Sequence, residues 1–123
     1  MARLALTAVQ MPAKYPLLQP TANAWDVAFT PAGADFADGA SVTLTGKEII
    51  IVHNANAAAK TVTVSSVVDS YNRTGDVTAY SIGIGEYCIL PQFQTAGWQQ
   101  ADGKLYMAAN AADVEFLVLR LSD

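Results

Sequence analysis

The sequence predicts an all-β fold: an antiparallel β-sandwich or jelly-roll-like domain over residues 24–123, preceded by an extended N-terminal arm over residues 1–23. Three observations carry this prediction. Short apolar runs alternate with period two, turn-forming residues separate them, and no window sustains the 3.6-residue period of an amphipathic helix. At 123 residues the chain has the length of one domain with one core.

The arm is set apart by its prolines. Pro12, Pro16 and Pro20 recur every four residues, which forbids a continuous helix and removes donors that a central strand would need. The same stretch carries Leu4, Leu6, Val9, Met11, Tyr15, Leu17 and Leu18, more apolar surface than a solvated tail exposes. Such a segment lies against something, either its own domain or a neighbouring subunit.

The sandwich begins with an aromatic-rich strand-like piece, Trp25-Asp26-Val27-Ala28-Phe29, and a turn-rich loop over residues 31–39. Ser41-Val42-Thr43-Leu44-Thr45 alternates as a half-buried strand does. Residues 49–52 form an unbroken β-branched run that ends at His53, and Asn54 and Asn56 suit the loop that follows. Thr61-Val62-Thr63-Val64-Ser65 alternates cleanly, and a turn is expected over residues 72–76. Tyr80, Ile82 and Ile84 share one face of the next strand, while Gly83 and Gly85 suggest a bend. Residues 87–90 make a short strand ended by Pro91. Residues 98–100 and 104–108 flank Asp102-Gly103, a two-residue hairpin signal, and residues 114–121 close the domain after a turn at 110–113.

Two strands depart from alternation. Residues 49–52 are apolar on both faces, and in the last strand Val114, Phe116 and Val118 oppose Leu117, Leu119 and Leu121. An antiparallel sheet in a lone sandwich faces water on one side, so its strands should alternate. Either loops of the same chain cover the second face or other protein does. With the apolar residues of the arm, Leu117, Leu119 and Leu121 are the candidate oligomer or partner interface.

Composition narrows the function. Charged residues are 15% of the chain, against about 25% in an average soluble domain, so little is available for acid–base chemistry. Seven basic residues against eleven acidic ones give no footprint for nucleic acid. The longest charge-free stretch, residues 87–101, contains Pro91 and four glutamines, which does not make a spanning helix. The apolar run near the N-terminus is six residues long, below the secretory minimum of about seven, so a cytoplasmic site of synthesis and a reduced Cys88 are expected.

The reactive residues are few. His53 is the sole histidine and no Gly-x-Ser-x-Gly elbow occurs, so the residue is best read as hydrogen-bonded at a strand end. Cys88 reads as a small core residue. Asp35 and Asp38 lack the alternating ligands of a calcium loop and read as turn residues. Gly83-Ile84-Gly85 opens no helix and is not a phosphate loop. Asn72-Arg73-Thr74 fits the glycosylation sequon, but without export it is a coincidence in a turn. No catalytic residue, metal or cofactor is therefore expected. One cluster offers an alternative: Gln92, Phe93, Gln94, Trp98, Gln99 and Gln100 combine aromatic faces with amides, as sugar sites do, with Gln94, Trp98 and Gln99 the candidate contacts. Packing of Phe93 and Trp98 at the end of the sandwich is the competing explanation.

One resemblance spans residues 47–121, about three-fifths of the chain. It is carried by His53-Asn54-Ala55-Asn56, Thr61-Val62-Thr63-Val64, Arg73-Thr74-Gly75-Asp76-Val77, Gly85-Glu86 and Phe93. Gly97-Trp98-Gln99-Gln100-Ala101-Asp102-Gly103 and the final strand complete it. This pattern resembles the small β-rich decoration (cement) and related head proteins of tailed bacteriophages. The resemblance implies a module made in the host cytoplasm that binds the major capsid protein on the outer face of the virion. It also implies a homo-oligomer, commonly a trimer, in which a terminal arm reaches a neighbour or the shell.

Overall fold

The computed structural model describes residues 4–11, 26–34, 36–68 and 75–121, and these form two packed sheets. In chain order the strands are β1 (Leu4–Ala5), β2 (Val9–Gln10), β3 (Thr30–Pro31), β4 (Ala40–Thr43), β5 (Glu48–Asn54), β6 (Lys60–Ser65), β7 (Val77–Ile82), β8 (Tyr87–Ile89), β9 (Lys104–Ala109) and β10 (Val114–Arg120). The first sheet has the order β1-β4-β9-β6-β7. The second runs β2-β10-β5-β8, with β3 also on β10. Four antiparallel pairs nest as one long folded hairpin: β6 with β7, β5 with β8, β4 with β9, and β3 with β10.

The core lies between the sheets and is built by period-two alternation. Val42, Val62, Val64, Leu105 and Met107 come from the first sheet, and Ile50, Val52, Val114, Phe116 and Val118 from the second. All ten are at most 2% exposed. Burying side chains of this size stabilises the fold by about 1.5–3 kcal/mol each. Leu44, Leu90 and Phe93 close one end.

The all-β sandwich expected from the sequence is present, with differences in detail. Both edge pairings made near the N-terminus are parallel: β1 lies beside β4, and β2 beside β10. Residues 4–11 are thus part of the sandwich, and they close the same side of both sheets. Leu4 and Leu6 pack on this chain's own core, and their amides donate to Gly39 O and Ser41 O. Pro12, which has no N–H, follows directly, and Tyr15, Leu17 and Leu18 lie outside the described residues.

Three local expectations need correction. Residues 26–29 are not a strand; pairing begins at Thr30 and continues through Pro31, at the edge of β10, where a missing N–H is harmless. Residues 36–38 form a single 3₁₀ turn inside the expected loop. Residues 98–100 are not the first arm of a hairpin. Instead Ala96 and Gly97, the latter at φ +91, take the non-helical dihedrals of a tight turn over Thr95–Trp98, closed by Gln99 N donating to Thr95 O, although Asp102-Gly103 does turn the chain into β9.

Candidate protein-binding surface

The outer faces of the two sheets differ in chemistry. On the first sheet the residues pointing away from the core include Thr61, Thr63, Ser65, Lys104 and Tyr106, the polar-out half of ordinary alternation. On the second sheet the register places Leu119 beside both Ile49 and Val9, and Ile51 between Leu117 and Ile89. By alternation Met11 and Leu121 extend this face at one end. Val9 and Met11 are 37% exposed and Ile89 is 70% exposed, so the apolar surface reaches solvent at both margins. Leu117, only 6% exposed, sits at its covered centre.

Five of the predicted interface residues therefore share one face: Val9, Met11, Leu117, Leu119 and Leu121. Leu4 and Leu6 do not join them, because β1 turns them toward the core.

The polar residues of this face gather at one end of it. His53, Glu115 and Tyr87 occupy one cross-strand row. His53 Nδ1 lies 2.8 Å from Glu115 Oε1, and the imidazole stacks on Tyr87 at 4.2 Å between ring centroids. Phe29 tilts against both rings, at 6.1 Å from His53 and 5.8 Å from Tyr87. The histidine is thus hydrogen-bonded, as the sequence reading expects, but to a carboxylate of the adjacent strand and within an aromatic cluster, not at a loop.

Two polar clusters hold the second sheet in place, and sequence reasoning missed both. Glu48 opens β5 with its side chain fully buried. Its Oε1 accepts from Thr45 N at 2.7 Å and Gly46 N at 3.1 Å. Its Oε2 accepts from Thr45 Oγ1 at 2.7 Å and Arg120 Nε at 2.6 Å. Burial pushes this carboxyl upward, but the bonds from Arg120 and Thr45 outweigh it and the net shift is below the ordinary 4.5. The carbonyl of Arg120 accepts from Met11 N, so the cluster also anchors β2. A signal was present: Thr45-x-x-Glu48 has the spacing of a capping box, in which a carboxylate reaches back to a turn amide.

Asn54 is the second. It is 0% exposed and donates through Nδ2 to the carbonyls of Ala58, Ile82 and Gly83, while Oδ1 accepts from Asn56 N. Its own N–H and C=O pair with Glu86 O and Gly85 N. One side chain thus holds the loop after β5 and the turn that leads into β8. An asparagine ending an apolar run was legible as a turn residue, but not as the buried hub between two loops.

The residues considered for other chemistry are dispersed. Trp98 is half-buried against the core with its ring 4.5 Å from that of Phe93, and Gln99 Nε2 donates to Leu44 O at 2.8 Å. Gln92 Nε2 donates to Gly46 O, whereas Gln94 is exposed. Two of the three candidate sugar contacts are thus engaged by their own fold. Asp35 and residues 72–74 lie outside the described residues, and Asp38 Oδ2 is buried without a hydrogen-bond partner among the described residues. Among the described residues no three His, Cys, Asp or Glu side chains converge to hold a metal ion, and no helix is long and apolar enough to cross a membrane. Cys88 is half-buried, and burial raises its thiol above the ordinary 9.0 against a smaller opposing effect of a hydrogen bond with Tyr80.

No protein-family model, curated protein or solved structure matches this chain. The surface itself is the basis for a functional reading.

Proposed function

We propose that this protein is a structural, non-enzymatic module that works by binding other protein: a homo-oligomeric decoration protein attached to the outer surface of a bacteriophage capsid. The observation that carries the reading is the apolar outer face of the second sheet, formed by Val9, Ile49, Ile51, Leu119 and Ile89. A contiguous apolar face on a sheet otherwise expected to meet water marks an interface. The strand order supports the same reading. A folded hairpin of eight strands, β3 to β10, is the order of a jelly roll, an architecture used by viral capsid proteins and by lectins. The partner in this reading is the major capsid protein. Repeated over a lattice, many modest contacts sum to tight attachment and stabilise the assembled shell by mass action.

Co-sedimentation tests it. The purified protein is mixed with tailed-phage capsid shells and, separately, with unassembled capsid subunits. It should pellet with shells to a saturating stoichiometry and raise their disassembly temperature, with weaker binding to free subunits. Failure to pellet with shells, or equal binding to free subunits, overturns the decoration role.

A further inference from the structure

The two sheets have four long edges, and three of them are covered or blunted. The edge of β4 is covered by β1, and the edge of β10 by β2 and β3. The edge of β7 is broken by a bulge: its register with β6 slips between Val62 and Val64, and Ala79 takes φ 49. Bulges of this kind keep an edge from templating another strand. The fourth edge, β8, is different. Among the described residues nothing pairs with its outer side, and no Asp, Glu, Lys, Arg or His occurs from residue 87 to residue 101.

The hydrogen-bonding phase of β8 is set by its neighbours. Asn54 N donates to Glu86 O and Leu90 N donates to Ile50 O, so the even-numbered residues face β5. In an antiparallel ladder the alternate residues then direct their backbone groups outward. Tyr87 and Ile89 therefore present two N–H and two C=O groups at the open edge, beside side chains that are 62% and 70% exposed. Ile84, 65% exposed, and Tyr80, 51% exposed, flank it.

We propose that two copies of this chain pair through β8, antiparallel, about a twofold axis at Cys88. This inference deepens the homo-oligomer part of the proposed function and does not depend on the capsid part. The edge is self-complementary in that one register. Tyr87 meets Ile89 of the second copy and Ile89 meets its Tyr87, which satisfies every outward group of both strands in four hydrogen bonds. A register centred on Tyr87 or on Ile89 would use only half of them. The apolar outer faces then join into one continuous surface. Charge does not oppose the arrangement: the nearest ionised residues are the two copies of Glu86, four residues apart along the paired strands, about 14 Å, which is beyond a Debye length of about 8 Å. Three residues per strand make this a small interface, so the pairing is concentration-dependent. A twofold pair gives a dimer in place of the trimer that the phage resemblance implies.

The register supplies its own reporter. Cys88 faces Cys88 of the second copy as a non-hydrogen-bonded pair, with Cα atoms about 4.5 Å apart, within the range a disulfide spans. Copper–phenanthroline should join them: the two thiols release two protons, two copper(II) ions take one electron each, and one S–S bond forms. The expected results are a mass in solution of twice the 13.0 kDa chain and an oxidised dimer that is absent from Cys88→Ser. Ile89→Pro removes only an outward N–H, leaves the bonds to β5 intact, and should run as a folded monomer. Ile89→Glu, which leaves the backbone unchanged, should do the same. A chain that stays monomeric to about 1 mM overturns the proposal. So does a trimer, a dimer that does not crosslink through Cys88, or a dimer that survives either folded Ile89 variant. A crosslinked dimer that fails to coat shells supports the pairing and overturns the capsid role alone.

Discussion

Glutamine at position 48 isolates the charge of the buried carboxylate from its shape. In the wild type the two oxygens accept four hydrogen bonds, two from backbone amides and two from the side chains of Thr45 and Arg120. Glutamine keeps one acceptor oxygen and turns the other into a donor that faces donors. If the amide nitrogen faces Thr45 Oγ1, the hydroxyl can rotate to accept, but the Arg120 bond is lost. A charge-assisted bond of this kind is worth about 1.5–3 kcal/mol. Breaking a fully buried ion pair costs about 3–5 kcal/mol, but the Arg120 side chain is 30% exposed and can recover water. The expected loss is about 2–4 kcal/mol, a fall in melting temperature of roughly 10 °C for a chain of this size.

The loss should depend on pH. Because the folded carboxyl lies below the ordinary 4.5, its contribution is complete above that value and disappears as pH falls through the lower folded value. Urea unfolding of wild type and Glu48→Gln across pH 7 to 3 should show a gap that narrows in acid. Equal midpoints at pH 7, or a gap that widens in acid, would refute the assignment.

Asn54→Asp exchanges a donor for an acceptor opposite three carbonyl oxygens, and should cost at least 3 kcal/mol as an order of magnitude, read in the same unfolding assay. Trp98→Ala removes a ring packed on Phe93 at the end of the core and should cost about 2–4 kcal/mol; a glycan array that shows wild-type binding lost by a variant of unchanged stability would favour the sugar reading instead. Deleting residues 2–11 removes β1 and β2, unpacks Leu4 and Leu6 and uncovers the edges of β4 and β10. It should cost about 3–5 kcal/mol and promote aggregation, seen by thermal unfolding and light scattering; unchanged stability would show that residues 4–11 do not hold the sandwich.

What could be read from the sequence was what a side-chain period carries. The alternation of residues 61–65 and the double apolar character of residues 114–121 report faces directly, and both survive in β6 and β10. Hence Leu117, Leu119 and Leu121 could be assigned to a second face before the fold was known. Partner and direction are backbone properties with almost no side-chain signature. The parallel docking of residues 4–11 therefore leaves no mark on the sequence, which does not distinguish Leu4 and Leu6 from Val9 and Met11 although they point to the opposite side. The tight turn at Thr95–Trp98 has no such signature, because it depends on one positive φ at Gly97 and not on any periodic pattern. The burial of Glu48 has no periodic signature either, because one of its partners, Arg120, lies 72 residues away in the chain.

The most direct test of the proposed function compares one charge placed on each outer face. Leu119→Asp lies on the outer face of the second sheet and Thr61→Asp on that of the first, and circular dichroism with thermal unfolding confirms that each is folded. Quantitative co-sedimentation with capsid shells then measures protein bound per shell. The prediction is wild-type occupancy for Thr61→Asp and little or none for Leu119→Asp. Equal occupancy for both, or loss only for Thr61→Asp, would contradict it.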